Sequence, residues 1–282
     1  MKPQFQHEVT TSFALWIDNY LLKKGEAFKN HTTNLYYTED SRLATGLNSF
    51  SSPFKQWVFD SSIDGADVPN SVSINGTPTP RSSSLIFDFQ NGRVITTDAS
   101  PTDAIQASYS VKDFNIYVTN ETEENLIVES KFDVNSRFKT DEASIPPYDQ
   151  VLPAIFINVT NNLNDPFSLG GEDQTTTDIR CVVMAENIFQ LDGALSIFND
   201  STRECFAALP FESYPLTEYG DAPNFNYKTL SDARLQSNPA ALHFIDRVDV
   251  SKLSDRITKK IDPNTFVGFV DFEVVTYRYP RI

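Results

Sequence analysis

The most informative hydrophobic pattern lies in residues 177–209, where the period changes within one stretch. A mostly apolar run from Ile179 to Met184 predicts a β-strand. From residue 188 onward apolar positions recur every three to four residues, which predicts a helix over residues 188–209. Asn187 is the candidate N-cap, and Pro210 is expected to end the helix. A strand that leads directly into an amphipathic helix predicts a two-layer α/β arrangement here.

A second helix and a block of strands precede this stretch. Residues 5–28 keep helical spacing and predict a core-packed helix, for which Gly25 is the expected stop signal. Residues 72–132 show the short alternating segments of a β meander or small sandwich. Within that block, Asn91-Gly92 between residues 85–89 and 93–97 is a strong hairpin signal.

The rest of the chain combines further strands with long connections. Alternating or apolar segments at residues 151–159, 242–250 and 266–277 predict strands. Three stretches show no period and are predicted to be long connections rich in aromatic residues, Asn and Pro: residues 46–58, 161–177 and 211–238.

Long connections inside a compact domain are usually functional or held in place by a partner. Because ordering them costs about 1–2 kcal/mol per residue in backbone entropy, we expect a neighbouring chain to stabilise them. We therefore predict that four aromatic side chains are buried in contacts between chains: Phe54, Trp57, Phe225 and Tyr227.

Length and charge restrict the possible functions. The chain has 282 residues, 40% of them hydrophobic and 22% charged, which predicts one large globular domain or two ordinary ones. Its net charge of −15 argues against coating of nucleic acid, because phosphate contacts need clustered Lys and Arg. Two interpretations of this charge stay open: it keeps the chain soluble, or it repels DNA that passes nearby.

Residue types that carry chemistry are present but not arranged in known motifs. The three histidines, His7, His31 and His243, are far apart in sequence, and we find no nucleophile elbow or phosphate-binding loop. The calcium-loop pattern that begins at Asp60 has Ser71 where the loop needs Glu, so a polar turn is the favoured interpretation. We therefore predict no catalytic residues, no metal and no cofactor.

Cysteines and targeting signals are equally sparse. Cys181 and Cys205 are predicted to be small buried hydrophobes without a disulfide, as in a reducing compartment. The N-terminus has no apolar core of signal-peptide length, and no apolar run reaches the roughly 18 residues of a membrane span. No membrane association is therefore expected.

The order of elements resembles that of the tail terminator (tail-completion, neck) proteins of tailed bacteriophages, particularly the sheath terminators of contractile tails. The resemblance covers residues 1–45 and 145–282 and contains no diagnostic motif. After the N-terminal helix it consists of the strand VLPAIFINV (151–159), the loop DPFSLG (165–170), the strand DIRCVVMA (178–185) before a long helix, and the final stretch GFVDFEVVTYRYP (268–280).

This resemblance implies an α+β fold in which a mixed β-sheet is flanked by two main helices, with an additional β-rich meander or sandwich insertion. The terminator-like core would comprise residues 1–58 and 145–282, and the insertion residues 59–144. We expect helices 5–28 and 188–209 to pack on one sheet that contains strands 151–159, 179–184 and 266–277.

The resemblance also implies a function. Tail terminators are non-enzymatic virion proteins that assemble in the host cytoplasm into homo-oligomeric rings, commonly hexamers, at the head–tail neck. Such a ring terminates the tail and joins it to the head connector, so the expected partners are further copies of the chain, tail tube or sheath proteins and head connector proteins. DNA would only pass through the lumen. The alternatives are a baseplate protein, a decoration protein or a glycan-binding accessory protein of the virion.

Overall fold

The computed structural model describes residues 5–127, 152–168, 171–254 and 265–279. Its helices are α1 (Phe5–Lys24), α2 (Glu123–Ile127), α3 (Ile188–Asp200) and α4 (Tyr227–Ser237), with a 3-10 turn at Phe211–Ser213. Its strands are β1 (Phe28–Thr38), β2 (Asn48–Ser51), β3 (Ser71–Ile74), β4 (Thr77–Pro80), β5 (Leu85–Asp88), β6 (Arg93–Thr96), β7 (Ile105–Lys112), β8 (Asn115–Val118), β9 (Ala154–Pro166), β10 (Asp173–Ala185), β11 (Cys205–Ala207), β12 (Leu242–Lys252) and β13 (Phe266–Arg278).

The chain divides into two compact units. Unit 1 comprises Met1–Gly25, Phe114–Tyr214 and Lys228–Ile282, and unit 2 comprises Glu26–Asp113 and Pro215–Tyr227. Residues 26–58, which were predicted to belong to the terminator-like core, lie in unit 2, and residues 114–127 of the predicted insertion lie in unit 1. Residues 128–144 of that insertion lie outside the described residues.

Unit 2 is built on a seven-stranded antiparallel sheet with the order β4-β3-β7-β1-β2-β6-β5. The long strand β1 changes partner along its length, pairing with β7 up to Leu35 and with β2 from Tyr36. The hairpin predicted at Asn91-Gly92 is confirmed, since β5 and β6 pair from Asp88 opposite Arg93. The core of this unit is rich in fully buried aromatic side chains: Phe50, Trp57, Phe87, Phe89 and Tyr109.

Unit 1 is built on a six-stranded sheet with the order β11-β12-β13-β10-β9-β8. The three strands that were predicted to share a sheet are adjacent in it as β9, β10 and β13, which confirms that part of the prediction. Both long helices lie on the same face of this sheet, because Phe13 of α1 and Phe198 of α3 contact the ring of Phe272 on β13 at 5.0 and 6.0 Å.

The predicted fold class is wrong. Among the described residues, 41% lie in strands and 22% in helices, and the strands form two curled sheets rather than one mixed sheet flanked by two main helices. Two of the predicted connections contain strands, namely β2 within residues 46–58 and the β9–β10 hairpin across residues 161–177, and α4 lies within residues 211–238. Residues 123–127, near the end of the predicted β block 72–132, form the short helix α2.

The second predicted helix is shorter than expected. Asn187 is its N-cap as predicted, with Oδ1 accepting a hydrogen bond from the Gln190 backbone N–H at 2.9 Å. The helix ends at Asp200, and a turn with Arg203 in the left-handed region (φ 70°) redirects the chain into β11. Cys205 is therefore exposed on a strand rather than buried on a helix, whereas Cys181 is buried as predicted; both are free thiols.

Candidate functional site

Trp57, predicted as an interface residue, belongs to the core of unit 2. Its side chain is 1% exposed and stacks on the ring of Tyr109 with centroids 4.2 Å apart. Its indole N–H donates a hydrogen bond to the backbone carbonyl of Phe54 at 3.2 Å. The burial of Trp57 is thus explained by contacts within its own chain, and no neighbouring chain is required for it.

Phe54 lies at the surface end of the same aromatic cluster. Its ring stacks on His31 at 4.4 Å, and His31 lies 6.2 Å from Tyr109, so an aromatic series connects exposed Phe54 with buried Trp57. Phe54 is 38% exposed. Of the four predicted interface residues it is the one whose side chain is available to a partner, and its assignment stays a prediction.

Phe225 and Tyr227 are held by the loop that begins at Asp60. The ring of Phe225 lies 5.4 Å from Phe59, and its carbonyl accepts hydrogen bonds from the backbone N–H and the hydroxyl of Ser61 at 3.0 and 2.8 Å. The Tyr227 backbone N–H donates to Oδ1 of the buried Asp60 at 3.0 Å. The degraded calcium-loop pattern is therefore a polar turn that fixes this segment, as the sequence favoured.

Sequence reasoning missed a surface on the unit 1 sheet. Four residues on neighbouring strands lie side by side on the sheet face opposite α1 and α3, and form one row: Leu163, Thr176, Val275 and Phe244. Leu163 is 54% exposed and Phe244 is 40% exposed. The alternation of β13 predicted two faces for this strand, but a single sequence carries no signal that tells which face a helix covers.

Two further rings extend this row. The ring of Tyr277 lies 4.7 Å from Phe167 and 6.2 Å from Phe244, and Phe167 is 55% exposed. We call Leu163, Phe167, Phe244 and Tyr277 the aromatic stripe. Clustered exposed apolar side chains of this kind mark interaction surfaces more often than scattered ones do.

Carboxylates lie among and beside the residues of the aromatic stripe. Asp165 lies opposite Gln174, in the same register row as Tyr277, and Asp178 and Glu273 face each other in the row on the other side of Leu163. None of these three carboxylates forms an ion pair with a described residue, but Arg247 lies directly opposite Glu273 in the register. Asp165 and Asp178 therefore supply the negative charge close to the strand β9.

Two arginines of this sheet have carboxylate partners of their own. Arg180 contacts both carboxylate oxygens of Asp271 at 2.9 Å and Glu123 at 2.5 Å, and its guanidinium lies 4.8 Å from the ring centre of Phe269. Arg247 pairs with Asp249 at 2.7 Å and lies opposite Glu273 in the register. Neither arginine forms an ion pair with Asp165 or Asp178.

The same region has an open strand edge. The parallel partner β8 covers β9 only from Ala154 to Ile157, and no described strand pairs with the outer edge of β9 beyond that point. Residues 160–166 of β9 are exposed. Unpaired backbone N–H and C=O groups on an exposed edge form a template for another strand.

A cleft of about 510 Å³ lies in unit 2, and Arg81 forms part of it. Arg81 forms an ion pair with Asp221, and its guanidinium lies over the ring of Phe87 at 5.1 Å. Burial lowers the pKa of the Arg81 guanidinium. The other lining residues offer hydroxyl groups, one carboxylate and one aromatic ring: Ser82, Ser83, Ile86, Thr217, Glu218, Tyr219 and Pro223.

Within the described ranges, no cluster of three or more His, Cys, Asp or Glu side chains is placed to hold a metal ion. Nor does any helix in that part of the chain have the length and hydropathy needed to cross a bilayer. No protein-family model matches the sequence, and no curated protein matches it significantly.

Proposed function

We propose that this chain is a non-enzymatic structural protein of a tailed-phage virion, whose copies form a ring, commonly a hexamer, at the head–tail neck. Such a ring would terminate the tail and join it to the head connector. The observation that carries the proposal is the aromatic stripe beside the open edge of β9, a surface suited to protein contacts. The phage and neck setting comes from the resemblance in element order.

A closed ring needs two different surfaces on each subunit, because neighbouring copies contact each other head to tail. Unit 2 carries exposed aromatic side chains of its own at Tyr36, Tyr37 and Phe54. Aromatic side chains are enriched at protein interfaces. We assign one of the two surfaces that join the copies to these aromatic residues of unit 2.

The acidic charge supports a role beside DNA rather than on it. A net charge of −15 repels phosphates, so a lumen built from such subunits would let DNA pass without binding it. This property is consistent with the proposed position at the neck and requires no contact with a base or a phosphate.

Electron microscopy of the purified full-length protein, with its mass measured by light scattering, tests this proposal. We expect rings, and we expect the double change Tyr36→Ser and Phe54→Ser to reduce the ring fraction at least about tenfold. Phe189→Ser is the matched control, because Phe189 is 84% exposed on α3 and lies outside both aromatic groups. A wild-type protein that stays monomeric at every concentration would contradict the proposal, as would equal loss of rings in the control.

The cleft at Arg81 favours one alternative, a glycan-binding accessory protein of the virion. Hydroxyl groups, an Arg–Asp pair and Tyr219 line this cleft, and sugars bind to such combinations of polar groups with an aromatic ring. Glycan-array binding that Tyr219→Ser abolishes, in a protein that forms no rings, would favour this alternative over the neck protein.

A further inference from the structure

We infer that the open edge of β9 accepts an extended, basic segment of a different protein as an additional strand of the unit 1 sheet. This inference rests on the proposed function and gives the chemistry of the partner that the neck protein would bind through unit 1. It is carried by the exposed edge, by the exposed side chains of Leu163 and Phe167, and by the carboxylates of Asp165 and Asp178.

The strand register indicates which backbone groups the edge offers. The Thr119 N–H donates to the carbonyl of Ile157, so the backbone groups of Ile157 point outward, away from β10. The backbone groups of Asn158 therefore face those of Arg180 on β10, and the backbone groups of every second residue of β10 point toward β9. Beyond the irregularity at Asp178/Ile179, the backbone groups of Asn162 and Asn164 point away from β10, toward the open edge.

An added strand would continue the side-chain rows of the sheet. Its alternate residues would lie on the face that carries Leu163 and Phe167, both more than half exposed. Apolar residues at those positions would cover Leu163 and Phe167, the two members of the aromatic stripe next to the edge. Asp165 lies between them on the same face, so the partner segment alternates apolar and basic residues along that face, as strand addition with side-chain pockets allows.

The charge near this edge favours a cationic partner. Asp165 lies on β9 itself and Asp178 lies one strand further into the sheet, and neither forms an ion pair with a described residue. Lys or Arg side chains of the added strand, on the face that carries Leu163, would lie beside Asp165. Complementary charge of this kind directs which partner binds and speeds its association.

The same charge disfavours a second copy of this chain as the occupant. Antiparallel pairing of β9 with β9 of another copy would bring two Asp165-bearing edges together, and like charges placed across strands are destabilising. Each copy also brings a net charge of −15. We therefore assign the edge to a different protein and one of the surfaces that join the copies to unit 2.

The probe is a capped peptide of about nine residues, a typical strand length, in which Val and Lys alternate at every second position and Thr fills the positions between them. This spacing puts both Val and Lys on one face of the strand, as needed to meet Leu163 and Asp165 of β9 and Phe167 directly after it, which share one face. Binding to the purified full-length protein is followed by calorimetry at low and high salt, and we expect binding that weakens with salt, because Asp165 is exposed. Two control peptides separate the contributions: one with the same residues in separate blocks, which cannot alternate Val and Lys on one face, and one with Glu in place of Lys.

Two variants of Asn164 measure how much the backbone N–H at the strand edge contributes to peptide binding. Asn164→Ala removes the side-chain contacts of Asn164 with Thr175 and Arg278 but keeps the outward N–H. Asn164→Pro removes the same contacts together with the N–H. We expect Asn164→Pro to bind the peptide at least about tenfold more weakly than Asn164→Ala, in variants whose melting temperatures agree.

Further variants test the charge and the stripe. Asp165→Asn combined with Asp178→Asn is expected to weaken binding about tenfold at low salt and much less at high salt. Leu163→Ser is expected to weaken binding at both salt concentrations, while Phe189→Ser leaves it unchanged.

The outcomes separate this inference from the proposed function. Failure of the alternating peptide to bind, or equal binding of the block peptide, would overturn the inference while rings remained. Self-association that Asn164→Pro abolishes would assign the edge to a second copy and overturn it as well. If the peptide bound and the variants weakened binding as expected, but the protein formed no rings, the neck-ring proposal would be wrong. The assignment of the β9 edge to a basic strand would still be supported.

Discussion

The indole ring of Trp57 stacks on the phenol ring of Tyr109 at 4.2 Å, with an interplanar angle of 20°. Both tryptophans of the chain are buried, since Trp16 is 6% and Trp57 is 1% exposed. We expect the fluorescence of the isolated protein to be blue-shifted relative to the unfolded chain and poorly quenched by acrylamide. If the blue shift and the protection from acrylamide arose only after assembly, a partner rather than the chain itself would cover Trp57.

Alanine substitutions at two glycines of unit 2, Gly92 and Gly76, are expected to destabilise the protein to different extents. Gly92 has a φ of 64°, and a Cβ there would overlap the backbone carbonyl oxygen of Phe54. Gly76 has a φ of 82° in a similar turn, with no atom near its Cβ position. Gly76→Ala should cost about 1–2 kcal/mol for the left-handed backbone alone, and Gly92→Ala should cost more because backbone atoms must also move.

Chemical denaturation of the two glycine variants measures this difference. The slope of the unfolding free energy against denaturant should stay the same, since neither change alters the surface exposed on unfolding. Equal destabilisation by the two alanines would mean that the segment at Phe54 moves away from the hairpin without cost.

Local signals explain most of what the sequence predicted correctly. Asn91-Gly92 and the stop at Gly25 depend on backbone preferences within a few residues, and both are observed. Asn75-Gly76 has the same form and also connects two paired strands, but only the strand before it was predicted. The second strand, Thr77–Pro80, contains two prolines, which suit the edge of a sheet and conceal the strand pattern.

Tertiary contacts explain what the sequence did not predict. Phe206 keeps the helical spacing of α3 but lies on β11, because a turn and a short strand can reproduce a spacing of three to four residues. The polar cluster from Asn199 to Thr202 is a turn signal that favours ending the helix there. For the candidate site, alternation predicted β13, but the exposure of Phe244 and Leu163 on the neighbouring strands depends on which sheet face the helices cover.

The contact between α3 and β13 predicts opposite effects for two other glycines. A Cβ at Gly268 would lie 3.0–3.1 Å from methyl groups of Leu191 and Leu195, which are buried, whereas Gly193 is exposed within α3 with no atom near its Cβ position. Gly268→Val should destabilise the protein by about 1–3 kcal/mol through overpacking. Gly193→Ala should stabilise it by about 0.5–1 kcal/mol, because glycine is unfavourable within a helix.

Thermal melting of both variants tests this packing. A destabilised Gly193→Ala would show that α3 needs the flexibility of glycine at this position. A neutral Gly268→Val would show that α3 can shift away from the sheet, and the close contact would then contribute little to holding the helix in place.

His243 predicts how stability depends on pH. The ring is fully buried between Phe5 and Phe206, and Nδ1 lies 2.6 Å from the hydroxyl of Thr276. Burial lowers the pKa of His243 from its usual 6.5 to about 3. Between these values the unfolded chain binds a proton that the folded chain excludes, so stability is highest above pH 6.5 and falls as the pH drops toward 3.

The expected loss is at most about 1.4 kcal/mol per pH unit from this single group, or ~2 kcal/mol between pH 6.5 and 5. His243→Gln is the matched variant, because glutamine does not titrate in this range and its side chain retains a hydrogen-bonding partner for Thr276. Denaturation of both proteins across this pH range should give a shallower dependence for the variant, after correction for its stability at pH 7. If the unfolding free energies of the two proteins changed with pH in parallel, His243 would bind a proton as readily in the folded protein as in the unfolded chain. That result would contradict a pKa lowered by burial between Phe5 and Phe206.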